Sequence, residues 1–148
     1  ADQASKYMVR HRVAPEQQIT IIKNVVLLTR VENTGAFLSM GDNIPRPLYK
    51  IIMILIPLAV LIFLIVYLIR TTAISGLSFA GMCLIAGGGL GNVIDRILYG
   101  SVTDFLFFNF GLFHTGIVNV ADILLTAGFF ILIIEALFFR KKEPNTEH

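Results

Sequence analysis

The sequence predicts an all-α integral membrane protein, a bundle of transmembrane helices that forms one domain over residues 1–148. Hydrophobic residues make up 55% of the chain and charged residues 15%, whereas charged residues make up roughly 25% of an ordinary soluble domain. Three apolar segments, residues 48–70, 72–98 and 117–139, reach the length of about 20 residues that a helix needs to cross a bilayer.

The first of these segments carries the strongest signal. Residues 51–69 contain no charged side chain, and Pro57 is tolerated because neighbouring helices can compensate for the backbone bond that it removes. Residues 72–98 are richer in glycine, alanine and serine. Gly87 and Gly91 have the spacing of small residues that lets membrane helices approach each other closely.

Basic residues set the expected orientation in the membrane. The Arg-Lys-Lys sequence at 140–142 places the polar tail 140–148 in the cytoplasm, so three spans leave residues 1–47 outside. Because a polar segment needs something to carry it across, we expect a four-helix bundle whose first helix lies upstream of residue 1. Within the external segment, residues 18–31 are rich in Ile, Val and Thr around a Lys-Asn pair, which predicts two short strands joined by a turn.

Charge and cysteine content exclude several classes of function. The net charge is +2, and no basic stretch is interleaved with aromatic residues, so we expect no nucleic-acid partner. Cys83 is the single cysteine, which excludes an internal disulfide, and no spacing of Cys and His residues indicates a zinc site.

Six polar residues are expected at or near membrane depth, close to the outer interface. They are Asn92, Asp95, Arg96, Asp104, Asn119 and Asp122. Ionisable groups are costly there and are therefore candidates for function. The first three share a helical face and the last two are one helical turn apart, while Asp104 is expected in a loop that follows Gly100.

Asp104 and Asp122 can converge across the short external connection between two helices. Two carboxylates brought close together do not both ionise readily, so such a pair holds one shared proton. The ionised partner can activate a water, and the protonated partner can hydrogen-bond the scissile carbonyl before a proton reaches the leaving amine. This pattern favours an aspartic peptidase.

Two alternatives remain open at this point. Carboxylate pairs also bind metal ions, so a metal-dependent membrane enzyme such as a phosphotransferase is the first, although such enzymes group several aspartates on adjacent helix turns. Activity that survives excess chelator would argue against it. The second is a non-catalytic membrane assembly protein, but helix packing requires neither two carboxylates nor their position near the outer rim.

Five motifs occur in a fixed order along the chain. They are Asp2-Gln3-Ala4-Ser5-Lys6, Asn33-Thr34-Gly35-Ala36, the Gly-Gly-Gly-Leu-Gly-Asn-Val-Ile-Asp-Arg segment at 87–96, Val102-Thr103-Asp104-Phe105 and Asn119-Val120-Ala121-Asp122. Together they resemble the bacterial lipoprotein signal peptidases (signal peptidase II) over nearly the whole chain. Phe37 and Val118 depart from the family pattern of alanine and phenylalanine, which concerns the shape of the pocket rather than its chemistry.

This resemblance implies an intramembrane aspartic endopeptidase that cleaves diacylglyceryl-modified prolipoproteins before the lipidated cysteine, with Asp104 and Asp122 as the catalytic dyad. It implies substrate-binding or supporting roles for Asn33, Gly35, Asn92, Arg96, Asn119, Asp2 and Lys6. The implied fold is four transmembrane helices with a small extracytoplasmic β-cradle, in the bacterial cytoplasmic membrane, with the active site near the outer face. Prolipoproteins and membrane lipids are the expected partners of a monomer, and no metal or organic cofactor is expected.

Overall fold

The computed structural model describes residues 1–35 and 45–138, which form a set of helices joined to one antiparallel sheet. In chain order the elements are α1 (Asp2–Arg12), β1 (Ile19–Ile22), β2 (Val26–Asn33), α2 (Arg46–Lys50), a π-helical turn (Ile51–Leu55), α3 (Ile56–Arg70), α4 (Gly76–Tyr99), β3 (Val102–Asn109), β4 (His114–Val118) and α5 (Val120–Phe138).

Three helices of the described chain are long and apolar enough to cross a membrane: Pro47–Arg70, Gly76–Tyr99 and Val120–Phe138. The first runs from α2 through the π-helical turn into α3. That turn lies just before Pro57, which has no N–H to donate to the Met53 carbonyl four residues earlier, so the regular helical ladder is interrupted there.

Two of these helices begin later than expected. α4 begins at Gly76 rather than at residue 72, because the Ser75 hydroxyl accepts the Ser78 backbone N–H at 3.0 Å and caps the helix at that point. α5 begins at Val120 rather than at residue 117, because the chain before it continues β4 as far as Val118. The polar tail at 140–148 lies outside the described residues.

The sheet has the order β1-β2-β3-β4 and is antiparallel throughout. The predicted pair of short strands is confirmed as β1 and β2, and the turn between them places Asn24 in the left-handed region at φ 61°. This conformation suits asparagine better than most residues with a side chain.

The expectation that Asp104 lies in a loop is wrong, because it lies on β3. There it is paired with Val31 of β2. β3 also pairs with β4, so strands on both sides hold this segment in the sheet. Phe105 of β3 is buried with Val9 and Val13, which packs the sheet against α1.

Glycines bring α4 and α5 into close contact. A Cβ atom on Gly128 would lie 2.5 Å from the Gly81 carbonyl oxygen, and one on Gly88 would lie 2.5 Å from the Ala121 carbonyl oxygen. A Cβ atom on Gly87 would meet nothing within 4 Å, so the expectation that Gly87 makes the close approach is wrong and Gly88 makes it instead.

Glu135, near the end of α5, joins that helix to the start of α4. Its carboxylate accepts hydrogen bonds from the hydroxyls of Ser75 and Ser78. Ser75 is also the N-cap of α4, so one carboxylate and two hydroxyls connect these two helix ends.

Candidate active site

Asp104 is buried on β3, with 3% of the residue exposed. Its two carboxylate oxygens accept hydrogen bonds from the Asn33 Nδ2 at 3.0 Å and from the Asn119 Nδ2 at 2.6 Å. Burial raises the pKa of Asp104 to about 6, while these two hydrogen bonds act in the opposite direction and the nearby charge of Asp122 adds to the rise. Asp104 therefore retains a proton at higher pH than an ordinary aspartate.

Asp122 lies in the first turn of α5 and forms a reciprocal cap with Asn119. The Asn119 Oδ1 accepts the Asp122 backbone N–H at 3.0 Å, and the Asp122 Oδ2 accepts the Asn119 backbone N–H at 3.1 Å. This is the capping box that begins many helices, with Asn and Asp in place of the more usual Ser and Glu. The same bonds that begin the helix fix the Asp122 carboxylate.

Asn92 of α4 completes a chain of amides between the two carboxylates. Its Nδ2 donates to the Asp122 Oδ1 at 2.8 Å, and its Oδ1 accepts from the Asn119 Nδ2 at 3.2 Å. Because the Asn119 Oδ1 is already bonded to a backbone N–H, the Asn119 Nδ2 must face Asn92 and Asp104. Asp104 and Asp122 are thus joined through two amides of fixed orientation.

Arg96 contributes a guanidinium to the same region. Its Nη2 donates to the Gly35 carbonyl at 3.0 Å, and the Gly35 backbone N–H donates to the Asn33 Oδ1 at 3.0 Å. The Arg96 Nε is buried and, within the described parts of the chain, has no hydrogen-bond partner. Since an unpaired buried donor is costly, Arg96 retains capacity for a further acceptor.

A cavity of about 490 Å³ opens beside these groups, among α3, α4, α5 and the sheet. Its polar lining consists of Asn33, Asn92, Arg96, Asp104 and Asp122, and its apolar lining includes Met53, Pro57, Leu61, Ile85, Gly89, Val118 and Leu125. Both carboxylates therefore border one space whose remaining walls are mostly hydrocarbon, as a site for a partly apolar substrate requires. Phe37, the other departure from the family pattern, lies outside the described residues.

Asp2 and Lys6 of α1 are buried, and neither is among the described residues that line the cavity. The Asp2 Oδ1 accepts the Ala121 backbone N–H at 2.9 Å, which places a carboxylate at the N-terminus of α5, where a negative charge is favourable. A Cβ atom on Gly91 would lie 2.5 Å from the Asp2 Oδ2, so Gly91 leaves the space for this contact.

All nine predicted site residues thus lie in or against one region, and their roles in catalysis remain predictions. Asn33, Asn92, Asn119, Asp104 and Asp122 form one hydrogen-bonded network. Gly35 and Arg96 contact each other at its edge, and Asp2 and Lys6 lie behind it.

Further polar residues extend this network around Asp95, and of these the sequence indicated only Asp95 as a candidate for function. The Arg10 Nη2 lies 3.0 Å from the Asp95 Oδ1, its Nε donates to the Thr103 hydroxyl at 2.7 Å, and Thr103 in turn donates to Glu32. The Gln3 Nε2 also donates to the Asp95 Oδ1 at 3.0 Å. Gln3, Lys6 and Arg10 recur at the spacing of one helical face, a signal that could have indicated this cluster.

Comparisons with known proteins show which family the chain belongs to. The family model for signal peptidase (SPase) II matches residues 1–138. A lipoprotein signal peptidase of Coxiella burnetii is 33% identical over 143 residues, which cover 97% of this chain and 86% of that protein. One of Clostridioides difficile is 36% identical over 141 residues, which cover 95% of this chain and 90% of that protein.

Two solved structures, each described as a bacterial membrane enzyme, share the fold. One has a TM-score of 0.83 at 28% identity and covers 97% of this chain and 86% of its own. The other has a TM-score of 0.77 at 27% identity and covers 95% of this chain and 86% of its own. The chain, with its two carboxylates at one cavity, belongs to the signal peptidase II family.

Proposed function

We propose that this chain is an aspartic endopeptidase that removes signal peptides from diacylglyceryl-modified prolipoproteins, cleaving before the lipidated cysteine. Membership of the family supports the reaction. Asp104 and Asp122 border the same cavity and are joined through the amides of Asn92 and Asn119. This observation is the main support for assigning them as the catalytic dyad.

In this mechanism one carboxylate of the pair is ionised and the other carries a proton. The ionised member accepts a proton from a water that attacks the scissile carbonyl carbon. The protonated member donates a hydrogen bond to the carbonyl oxygen, and a proton then reaches the leaving amine. The raised pKa of Asp104 supports a shared proton near neutral pH.

The remaining cavity walls suit the rest of the substrate. The unpaired Arg96 Nε can donate to a backbone carbonyl of the substrate, which holds the peptide in register with the dyad. The apolar residues of α3, α4 and α5 contact the hydrocarbon of the lipid-modified cysteine and the end of the signal helix. Asn33, Gly35, Asn92 and Asn119 support the carboxylates and this arginine rather than reacting themselves.

The proposal includes a membrane topology. The sheet and the dyad lie at the extracytoplasmic face of the bacterial cytoplasmic membrane, and the apolar helices belong to a four-span bundle, as the distribution of basic residues favours. Residues 1–148 act as one domain, with residues 1–47 outside and residues 140–148 in the cytoplasm. The enzyme acts as a monomer on substrates that enter laterally among membrane lipids.

Cleavage of a lipid-modified prolipoprotein in detergent or in proteoliposomes tests the proposal. Asp104→Asn and Asp122→Asn should each reduce the rate to background, whereas Glu16→Gln, the same chemical change at an exposed position, should cleave like the wild type. Cleavage by either aspartate variant at near the wild-type rate would show that the dyad is wrongly assigned.

The same cleavage assay distinguishes the aspartic peptidase from the alternative of a metal-dependent membrane enzyme. Among the described residues no group of three or more His, Cys, Asp or Glu side chains is arranged to hold a metal ion. Under the peptidase proposal cleavage continues in excess chelator. Loss of cleavage in chelator, with recovery when a divalent metal ion is returned, would favour the metal-dependent enzyme instead.

A further inference from the structure

Lys6 is a fully buried lysine whose ammonium group has a complete set of partners. Its relative exposure is 0%, and its Nζ lies 3.0 Å from the Asp2 Oδ2, 3.0 Å from the Asp95 Oδ2 and 2.9 Å from the Asn92 Oδ1. An ammonium has three donors and no acceptor, so these three contacts saturate it. Two of the contacts are ion pairs, and the third is to a neutral amide.

Asp2, Lys6, Arg10 and Asp95 form an ionic cluster whose charges balance without the Asn92 amide. Lys6 and Arg10 balance the charges of Asp2 and Asp95, so no uncompensated charge is buried among these four residues. The contact between Lys6 and Asn92 is therefore not required for charge neutrality. It connects the ionic cluster to the proposed dyad.

The contact fixes which way the Asn92 amide faces. With its Oδ1 bound to the Lys6 ammonium, the Asn92 Nδ2 must face the Asp122 carboxylate, to which it donates at 2.8 Å. Rotating the amide by half a turn would place NH₂ against the ammonium and the amide oxygen against the carboxylate, which makes both contacts repulsive. The same Asn92 Oδ1 also accepts from Asn119, whose Nδ2 donates to Asp104.

We propose that Lys6 is a positioning residue for the reaction, which acts through the Asn92 amide to hold both carboxylates in their reactive arrangement. This inference rests on the proposed dyad and adds a role beyond folding to a residue that is fully buried and is not among the described residues lining the cavity. The Lys6 charge also opposes the effect of burial, which is the main cause of the raised pKa of Asp104.

The test must separate positioning from simple charge balance. Lys6→Met alone leaves Asp2 and Asp95 with one cation, so it confounds folding with catalysis. Lys6→Met combined with Asp95→Asn restores neutrality, and Asp95→Asn alone is the matched reference that keeps Lys6. Lys6→Met with Asp2→Asn provides a second neutral combination. Among the described residues, the charged groups around Lys6 and the dyad are Asp2, Arg10, Glu32, Asp95, Arg96, Asp104 and Asp122.

Thermal unfolding, kcat, KM and the pH profile of prolipoprotein cleavage are measured for each variant. Relative to Asp95→Asn, the neutral double variant should unfold at a similar temperature, keep KM within about twofold and lose about tenfold or more in kcat, as loss of positioning produces. Its pH profile should move to higher pH, since a cation that favours ionised carboxylates has been removed.

Equal kcat and equal pH profiles in the double variant and its reference would overturn the inference. So would failure of both neutral combinations to fold, because Lys6 would then act in folding. The dyad is tested separately: cleavage by Asp104→Asn contradicts the proposed dyad, whereas an inactive Asp104→Asn beside a fully active double variant contradicts only the role of Lys6.

Discussion

Asn119 and Asp122 each accept the backbone N–H of the other, at 3.0 Å and 3.1 Å, so one pair of bonds begins α5 and orients a proposed catalytic carboxylate. The Asn119 side chain adds donors to Asn92 and to Asp104. Asn119 therefore caps the helix through its Oδ1 and hydrogen-bonds to the site through its Nδ2. Two substitutions of Asn119 can separate these contributions.

Asn119→Ser should keep the helix cap and lose the amide donors, whereas Asn119→Ala should lose both. We expect both variants to lose about tenfold or more in cleavage rate, since a hydrogen bond to a charged group contributes on the order of 1.5–3 kcal/mol. Only Asn119→Ala should lose the additional cap, worth about 1 kcal/mol. Thermal unfolding and kcat measured together check this, and a fully active Asn119→Ser would contradict it.

The raised pKa of Asp104 predicts that the difference in stability between the wild type and Asp104→Asn depends on pH. Because the folded-state pKa of about 6 lies above the ordinary value of 3.8, folding favours the protonated acid. The stability that this group contributes is present below the ordinary pKa and is lost as pH rises through about 6. Asp104→Asn cannot ionise, so the melting temperature of the variant minus that of the wild type should be larger at high pH.

Thermal unfolding of the wild type and of Asp104→Asn in detergent, near pH 4.5 and near pH 8, measures this change in the stability difference. The expected change is on the order of 2 kcal/mol, from the size of the pKa shift. A difference that is constant with pH, or larger at the acidic end, would show that burial does not raise the pKa of Asp104.

The close contact between α4 and α5 predicts opposite outcomes for two neighbouring glycines. Gly88→Ala places a methyl group 2.5 Å from the Ala121 carbonyl oxygen, which must force the helices apart, whereas Gly87→Ala meets nothing within 4 Å. We expect Gly88→Ala to destabilise the protein by about 1–3 kcal/mol or more and to reduce cleavage, because Ala121 lies beside Asp122. Gly87→Ala should leave both properties near wild type, and equal effects would disprove the contact.

The contact between Glu135 and the start of α4 should contribute to stability but not to catalysis. Glu135→Ala leaves the Ser75 and Ser78 hydroxyls without their acceptor, so the melting temperature should fall. The cleavage rate at low temperature should not change, because Glu135 is 13 residues from Asp122 along α5, about 20 Å. A selective loss of kcat would indicate coupling along the helix.

Much of the site was predictable from the sequence because its residues are indicated by local spacing and by motifs in a fixed order. Asn92 and Arg96 share a helical face, and Asn119 and Asp122 form a capping box, so short-range rules bring these residues together. The position of Asp104 on a strand was not predictable in the same way. The segment that contains Asp104 has consecutive apolar residues rather than an alternating pattern, and it becomes a strand by pairing with β2 and β4.

The ionic cluster behind the dyad was harder still to predict. Lys6 appears in the sequence within a mixed segment that continues into Arg10, His11 and Arg12, and its partner Asp95 lies almost ninety residues away. Only tertiary packing shows that the lysine is buried. The pairing of β1 with β2 and the existence of the three apolar helices, by contrast, follow from composition and turn residues over short distances.

The hydrogen bond from the Ala121 backbone to Asp2 joins two segments separated by most of the chain. α5 supplies Asp122 and is the last of the described helices to leave the ribosome, so the two carboxylates meet only after every other described element has been synthesised. Contacts of such long range form late in folding. In a nascent copy of this protein the proposed dyad is therefore not assembled while the preceding apolar segments pass through the insertion machinery, and it forms only when α5 docks.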